Sequence, residues 1–158
     1  MKIQIIRARP EDANLLHQIV VTSKGYWGYP EDWVMLWISG VKITSEYVST
    51  NEVFAAEIEG EIAGFYALKE KGQSICELEH LWVIPKKIGM GVGRALFTHA
   101  LQRASHLGAK YMEWAADRHA AGFYEHMGGK HIRDYPSRLE GPIPIFRMEV
   151  NSENPPNS

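Results

Sequence analysis

Leu81-Trp82-Val83-Ile84-Pro85-Lys86-Lys87-Ile88-Gly89-Met90-Gly91-Val92-Gly93-Arg94-Ala95-Leu96 is the stretch on which the fold turns. An apolar strand runs into Pro85, glycines alternate at 89, 91 and 93, and an apolar position returns at Leu96. Each glycine costs conformational entropy on folding, so a run of them marks backbone that must approach something closely. A strand that feeds a helix through such a turn aims several N–H groups and the positive helix end at one point. That makes an anion site suited to a diphosphate. Lys86, Lys87 and Arg94 add positive charge. A flexible loop with a glycine-relieved helix start is the competing reading.

Downstream, Leu96, Phe97, Ala100, Leu101, Ala104 and Leu107 recur at helical spacing, and Gly108 stands where the helix should stop. Lys110 to Ala115 reads as a short strand, so strand, helix and strand form one parallel crossover. Asp117 is placed as an N-cap, with Ala120, Phe123, Tyr124 and Met127 as the buried stripe of the helix after it. Gly128-Gly129 ends that helix. Lys130 to Tyr135 and Ile143 to Val150 read as the last strands.

Upstream, Ile3, Ile5 and Ile6 read as a strand, and Pro10-Glu11-Asp12 opens a helix with acids where its dipole favours them. Ala13, Leu16, Ile19 and Val20 share one face of that helix. Pro30-Glu31-Asp32 reads as a second helix start, inside a segment dense in aromatics from Tyr26 to Trp37. Val53–Ile58, Ile62–Leu68 and Ile75–Ile84 read as strands joined by Glu59-Gly60 and Lys71-Gly72. Those connections are too short for crossovers, so the three strands form an antiparallel meander. The expected fold class is α/β, with a mixed, mostly antiparallel sheet of about seven strands and helices on both faces.

Composition sets the outer bounds. The chain has 158 residues, 45% hydrophobic and 23% charged, which suits a single globular domain with a real core. The expected domain spans 1–150, and the polar, proline-containing residues 151–158 read as a disordered tail. A net charge of -2 argues against a nucleic-acid partner. No apolar run reaches the ~18 residues of a membrane span. The N-terminus is too short and charged for a signal peptide, and Cys76, the single cysteine, fits a reducing compartment. A cytoplasmic protein is expected.

Two familiar phosphate loops fail. A mononucleotide loop needs Gly-Lys-Ser/Thr, but Gly93 is followed by Arg94-Ala95. A dinucleotide fingerprint needs a third glycine three residues after the second, where this chain has Arg94 or Leu96. Glu113, at the end of the next strand, stands at a fitting distance for a ribose contact and keeps that reading open.

The same residues resemble the GCN5-related N-acetyltransferase (GNAT) superfamily, whose central motif is Gln/Arg-x-x-Gly-x-Gly/Ala after an apolar-x-Val-x-Pro strand end. Ile88-Gly89-Met90-Gly91-Val92-Gly93 follows Leu81-Trp82-Val83-Ile84-Pro85 in that manner, departing at Ile88, where the family has Gln or Arg. A second motif, a polar residue seven before a tyrosine, is matched by Asp117 and Tyr124, with Asp117 in place of the usual Asn. Element order agrees from Ile3 to Val150.

The resemblance implies an acetyl-CoA-dependent N-acetyltransferase with a ternary complex and no covalent intermediate. It implies cofactor contacts at Leu81, Trp82, Val83, Ile88, Gly89, Met90, Gly91, Val92, Gly93, Arg94, Asp117 and Tyr124. Backbone N–H groups near Leu81 to Val83 would hold the carbonyl oxygen, and Tyr124 would be the acid at the coenzyme sulfur.

For the base, Glu77 and Glu79 share parity with Leu81 and Val83, and a carboxylate in a mostly apolar strand is expensive unless used or paired. Glu79 is the expected base, with Glu77 in reserve and His80 read as packed. Tyr26 and Trp27 are the candidate substrate contacts, for a small-molecule or peptide amine, while Trp33 and Trp37 are read as covering the sheet. No metal is expected: His99 and His106, and His119 and His126, are seven apart, about 10.5 Å of helical rise. Cys76 reads as core. A homodimer could form through the last strand. Two rival functions remain: a non-catalytic acyl-CoA sensor, favoured by Ile88 and Asp117, and a dinucleotide-dependent oxidoreductase, resting on Glu113.

Overall fold

The computed structural model describes residues 2–40, 42–138 and 141–150, with backbone only at 37, 38 and 40. The expected tail lies outside the described residues, as does the side chain of Trp37. Seven strands form one mixed sheet in the order β1-β2-β3-β4-β5-β7-β6. They are β1 (Ile3–Arg7), β2 (Glu52–Ile58), β3 (Glu61–Gly72), β4 (Ile75–Val83), β5 (Tyr111–Ala115), β6 (Lys130–Tyr135) and β7 (Ile143–Glu149). The helices are α1 (Ala13–Tyr26), α2 (Glu31–Gly40), α3 (Ser45–Thr50), α4 (Val92–His106) and α5 (Ala121–His126). The described residues divide into two compact units, one up to Ala67 together with His80–Phe97, the other Leu68–Glu79 together with those after Phe97.

In the first unit, β1 pairs antiparallel with β2 from Ile3↔Ile58 to Arg7↔Phe54. Pro10–Asp12 form a single tight turn before α1, with the Asp12 carboxylate accepting the Arg9 N–H at 2.9 Å. The stripe Ala13, Leu16, Ile19 and Val20 packs with Val48, Val53, Ala55, Phe65 and Ala67. Each Leu, Ile, Val or Phe among them contributes about 1.5–3 kcal/mol on burial. Phe65 lies in that cluster, whereas its neighbour Gly64 faces Leu96 of α4. Successive strand residues point to opposite faces, so helices cover both faces here. The helix α3 is absent from the sequence reading. Thr44 caps it, its side chain accepting the Tyr47 N–H at 3.0 Å.

In the second unit, β4 and β5 are parallel at Ile75↔Tyr111, Cys76↔Met112 and Glu77↔Glu113. β7 is inserted between β5 and β6, antiparallel to both. A strand-paired homodimer would therefore have to use an edge strand, β1 or β6, rather than the last strand. Trp114 is buried between Phe146 (centroids 6.2 Å) and Tyr124 (5.2 Å). Gly129 permits this, because a Cβ there would lie 2.8 Å from the Trp114 ring. The opposite face, by register, carries Glu113, Ala115, Ile145 and Arg147.

Candidate active site

The glycine turn takes the shape its composition requires. Pro85–Lys87 make a tight turn, and Met90 N–H donates to Lys87 O at 3.3 Å. Gly89 and Gly91 have φ of +86° and +87°, where side chains are strained. A Cβ at Gly89 would meet nothing within 4 Å, so the demand there is conformational and the space outside is open. Gly93 lies within the first turn of α4. The first α4 bond here runs from Ala95 N–H to Gly91 O at 3.0 Å. The N–H groups of Val92, Gly93 and Arg94 precede it and have no intrahelical acceptor. Ile88 and Met90 are exposed beside them, 45% and 38%.

The strand that feeds this turn offers a second set of donors. The β4–β5 ladder stops at Glu77↔Glu113, while β4 runs on to Val83. Ile84 N–H donates to Ala63 O on β3 at 2.9 Å. N–H groups alternate sides along a strand, so those of Val83 and Leu81 point away from β3, where β5 no longer pairs. Gly64 fixes the other edge: a Cβ there would sit 2.5 Å from Trp82 O. Sequence reasoning passed over Gly64, although an isolated glycine inside a strand is a known sign of close backbone approach.

The end of α1 meets the same strand. Ser23, buried, donates from its hydroxyl to Val83 O at 3.4 Å, and the Lys24 ammonium lies 5.2 Å from the Trp82 ring. Nothing in the sequence marked Ser23. Tyr26 and Trp27 follow, edge to face at 4.9 Å and exposed. The first unit thus brings the end of α1, through Ser23 and Lys24, against Val83 and Trp82 on the strand that feeds the turn.

In the second unit, Tyr124 is buried, and burial followed by the nearby Asp117 carboxylate pushes its phenol well above the ordinary 10.0. It therefore keeps its proton throughout the working range. Asp117 is not an N-cap. Its Oδ1 accepts the His119 N–H at 2.8 Å, its carbonyl takes the Ala120 N–H at 2.8 Å, and α5 begins at Ala121 with Ala120 as cap. A short polar side chain bonds the backbone two residues on, which makes a turn before the helix rather than a cap on it.

Glu79 is half-buried on β4. Glu77 is engaged by the Lys71 ammonium at 3.4 Å. His80 is packed, as expected: its Nδ1 accepts the Trp82 indole N–H at 2.9 Å, and its ring lies 6.0 Å from Phe65 and Tyr47. Cys76 is buried in the core. Glu113 does not serve a dinucleotide: Arg147 and Arg133 hold it, and the sheet order is not doubly wound. Among the described residues no three metal-ligating side chains gather, and no helix is long and apolar enough to cross a membrane.

Residues 15–129 match the family described as "Acetyltransferase (GNAT) family". An uncharacterised N-acetyltransferase, YjgM, of Escherichia coli (strain K12) is 34% identical over 88 residues, 52% of either chain. The chain thus spans about half the length of that curated relative. PaiA N-acetyltransferase from Thermoplasma acidophilum, solved with coenzyme A, superposes with a TM-score of 0.79 at 20% identity, over 94% of this chain and 99% of that one. A GCN5-related N-acetyltransferase structure from Rhodopseudomonas palustris gives 0.82 at 21% identity, over 95% and 97%.

Proposed function

Because the chain belongs to the GNAT acetyltransferase family, we propose that it moves an acetyl group from acetyl-CoA to a primary amine by direct attack in a ternary complex. The observation that carries this is the end of β4, where Leu81 and Val83 turn their N–H groups away from β3 beyond the last β5 rung and run straight into the glycine turn. Coenzyme A in a structural neighbour supports the same cofactor.

The pyrophosphate rests on the N–H groups of Val92, Gly93 and Arg94, with charge from Lys86, Lys87 and Arg94. The thioester oxygen takes the Leu81 and Val83 N–H groups, which strengthen as it gains charge. Glu79, directly or through one water, removes a proton from the amine, whose free ammonium has a pKa near ~10.4. The amine nitrogen bonds to the carbonyl carbon, the C–S bond breaks, and the nitrogen's remaining surplus proton passes to solvent as the thiolate leaves.

The motif match assigns Tyr124 to that thiolate. A thiol has a pKa near ~8.5, below the ~10 of a tyrosine phenol, so proton transfer from Tyr124 runs uphill. The residue acts by donating a hydrogen bond to the sulfur while keeping its proton. This narrows the acid role expected from the motif to stabilisation of the leaving group. Tyr26 and Trp27 form part of the acceptor wall.

An amine panel with acetyl-CoA, followed by release of free thiol, tests the proposal beside thermal protection by acetyl-CoA and by NAD(P). Turnover of at least one amine, with protection by acetyl-CoA alone, is expected. Protection without any turnover points to the sensor function instead. Protection by NAD(P) alone overturns the assignment of the turn.

A further inference from the structure

The second unit carries a cavity of about 200 Å³ over the last rung of the β4–β5 ladder, lined among others by Lys71, Glu77, Glu113, Ala115, Arg133 and Ile145. Its charges come from separate elements. Glu77 and Glu113 are register partners on β4 and β5. Lys71 pairs with Glu77 at 3.4 Å. Arg147, on β7, donates through Nε at 2.8 Å and through Nη2 to the Glu113 carboxylate, and stacks 4.4 Å over the Tyr111 ring. That pair neutralises Glu113 and fixes both partners.

Arg133 is then the surplus charge. It touches Glu113 only at 3.4 Å, through one Nη2, and its side chain is 59% exposed. A guanidinium has five N–H donors, so most remain available to a ligand. The two carboxylates of the lining each already have a cation, Glu77 from Lys71 and Glu113 from Arg147, which lies outside the lining.

The backbone shows that this placement is built. In β6, His131 pairs with Phe146 and Arg133 with Ile145, so Ile132 is an inserted residue at a bulge. In a regular strand His131 and Arg133 would share a face. His131 instead lies with Phe146, its ring 5.9 Å away, on the Trp114 side. The bulge moves Arg133 to the opposite side, that of Ala115, Ile145 and Glu113. Bulges re-aim single side chains in this way at functional sites.

We infer that this cavity is the acceptor's anion subsite and that the acceptor is a small amine bearing a carboxylate, which Arg133 binds. The inference rests on the acetyl-transfer proposal. The planar fork of an arginine matches a carboxylate in two bonds. At ~30 Å³ per water-sized group, the cavity has room for a carboxylate arm of a few atoms. Glu79 follows Glu77 by two residues, about 7 Å along the strand, so an amine on a short chain reaches the base. A diamine acceptor would need free carboxylates, and Glu77 and Glu113 are both occupied.

The test compares 4-aminobutyrate, butylamine and O-phosphoethanolamine as acceptors for wild type, Arg133→Gln and Arg133→Lys. The expected wild-type result is a kcat/KM at least tenfold higher for 4-aminobutyrate than for butylamine. Arg133→Gln should erase that preference by raising KM for 4-aminobutyrate, and Arg133→Lys should keep part of it. Equal use of the two amines by wild type, a preference that survives Arg133→Gln, or a preference for the phosphorylated amine overturns the subsite. Butylamine turnover without carboxylate preference leaves acetyl transfer intact. If no amine is acetylated, thermal protection by 4-aminobutyrate that Arg133→Gln removes upholds the subsite and sinks the transfer proposal; protection that survives the substitution overturns the subsite.

Discussion

The glycine turn and the charged face of the second unit both suit anions, by opposite means. The turn offers backbone N–H groups at a helix start, with Gly89 and Gly91 held at positive φ and little around them. The charged face offers side chains from β3, β4, β5, β6 and β7, fixed by ion pairs and one bulge. A backbone site depends on local conformation and tolerates many side chains. A side-chain site depends on register and is sensitive to each residue. The first kind suits a cofactor that is always the same; the second suits an acceptor that must be chosen.

The largest expected effect lies at the turn. Gly91→Asp strains a φ of +87°, at about 1–3 kcal/mol, and sets a negative charge at the turn proposed to hold the pyrophosphate. Acetyl-CoA affinity should fall by on the order of a hundredfold or more. Titration calorimetry checks it, and unchanged affinity would remove the turn from the cofactor site. Tyr124→Phe should lower kcat by about tenfold to a hundredfold, with cofactor affinity held. Loss of affinity with normal turnover would contradict its place at the sulfur.

How much of this was legible depends on whether a feature is local. The turn, α1, the β2–β4 meander and the β4–α4–β5 crossover could be read because glycine spacing and periodicity are written in neighbouring residues. The Tyr124 assignment came from a motif, and its buried pocket from Gly129 and Trp114, which a one-dimensional pattern does not join. Asp117 was misplaced because an Asx-type turn and an N-cap use the same side chain one turn apart. Arg133 was invisible, since a bulge at Ile132 decides its face, and no composition rule announces a bulge. Ser23 and the end of the β4–β5 ladder are tertiary facts in the same sense.

Smaller effects sharpen the contrast. Gly64→Ala places a methyl 2.5 Å from Trp82 O, which must push β3 from β4. Overpacking of this kind costs about 1–3 kcal/mol. Chemical denaturation should show that loss, and turnover should fall as Leu81 and Val83 shift; full stability would mean that the strands part without cost.

Tyr124 also predicts a pH dependence. Its folded pKa is raised from 10.0 by burial and then by Asp117, so the unfolded chain ionises first. Its contribution is intact below the unfolded value and drains as pH rises beyond 10.0, by up to about 1.4 kcal/mol per pH unit. Wild type should therefore lose stability faster than Tyr124→Phe between pH 10 and 11, with parallel curves below about pH 9. Parallel curves throughout would mean that the phenol is solvated.

Backbone recognition at β4 and the turn is the central claim, and amide hydrogen exchange reads it directly. On adding acetyl-CoA, exchange at Leu81, Val83, Val92, Gly93 and Arg94 should slow together. Saturating cofactor that leaves those amides unchanged while protecting others would contradict the account.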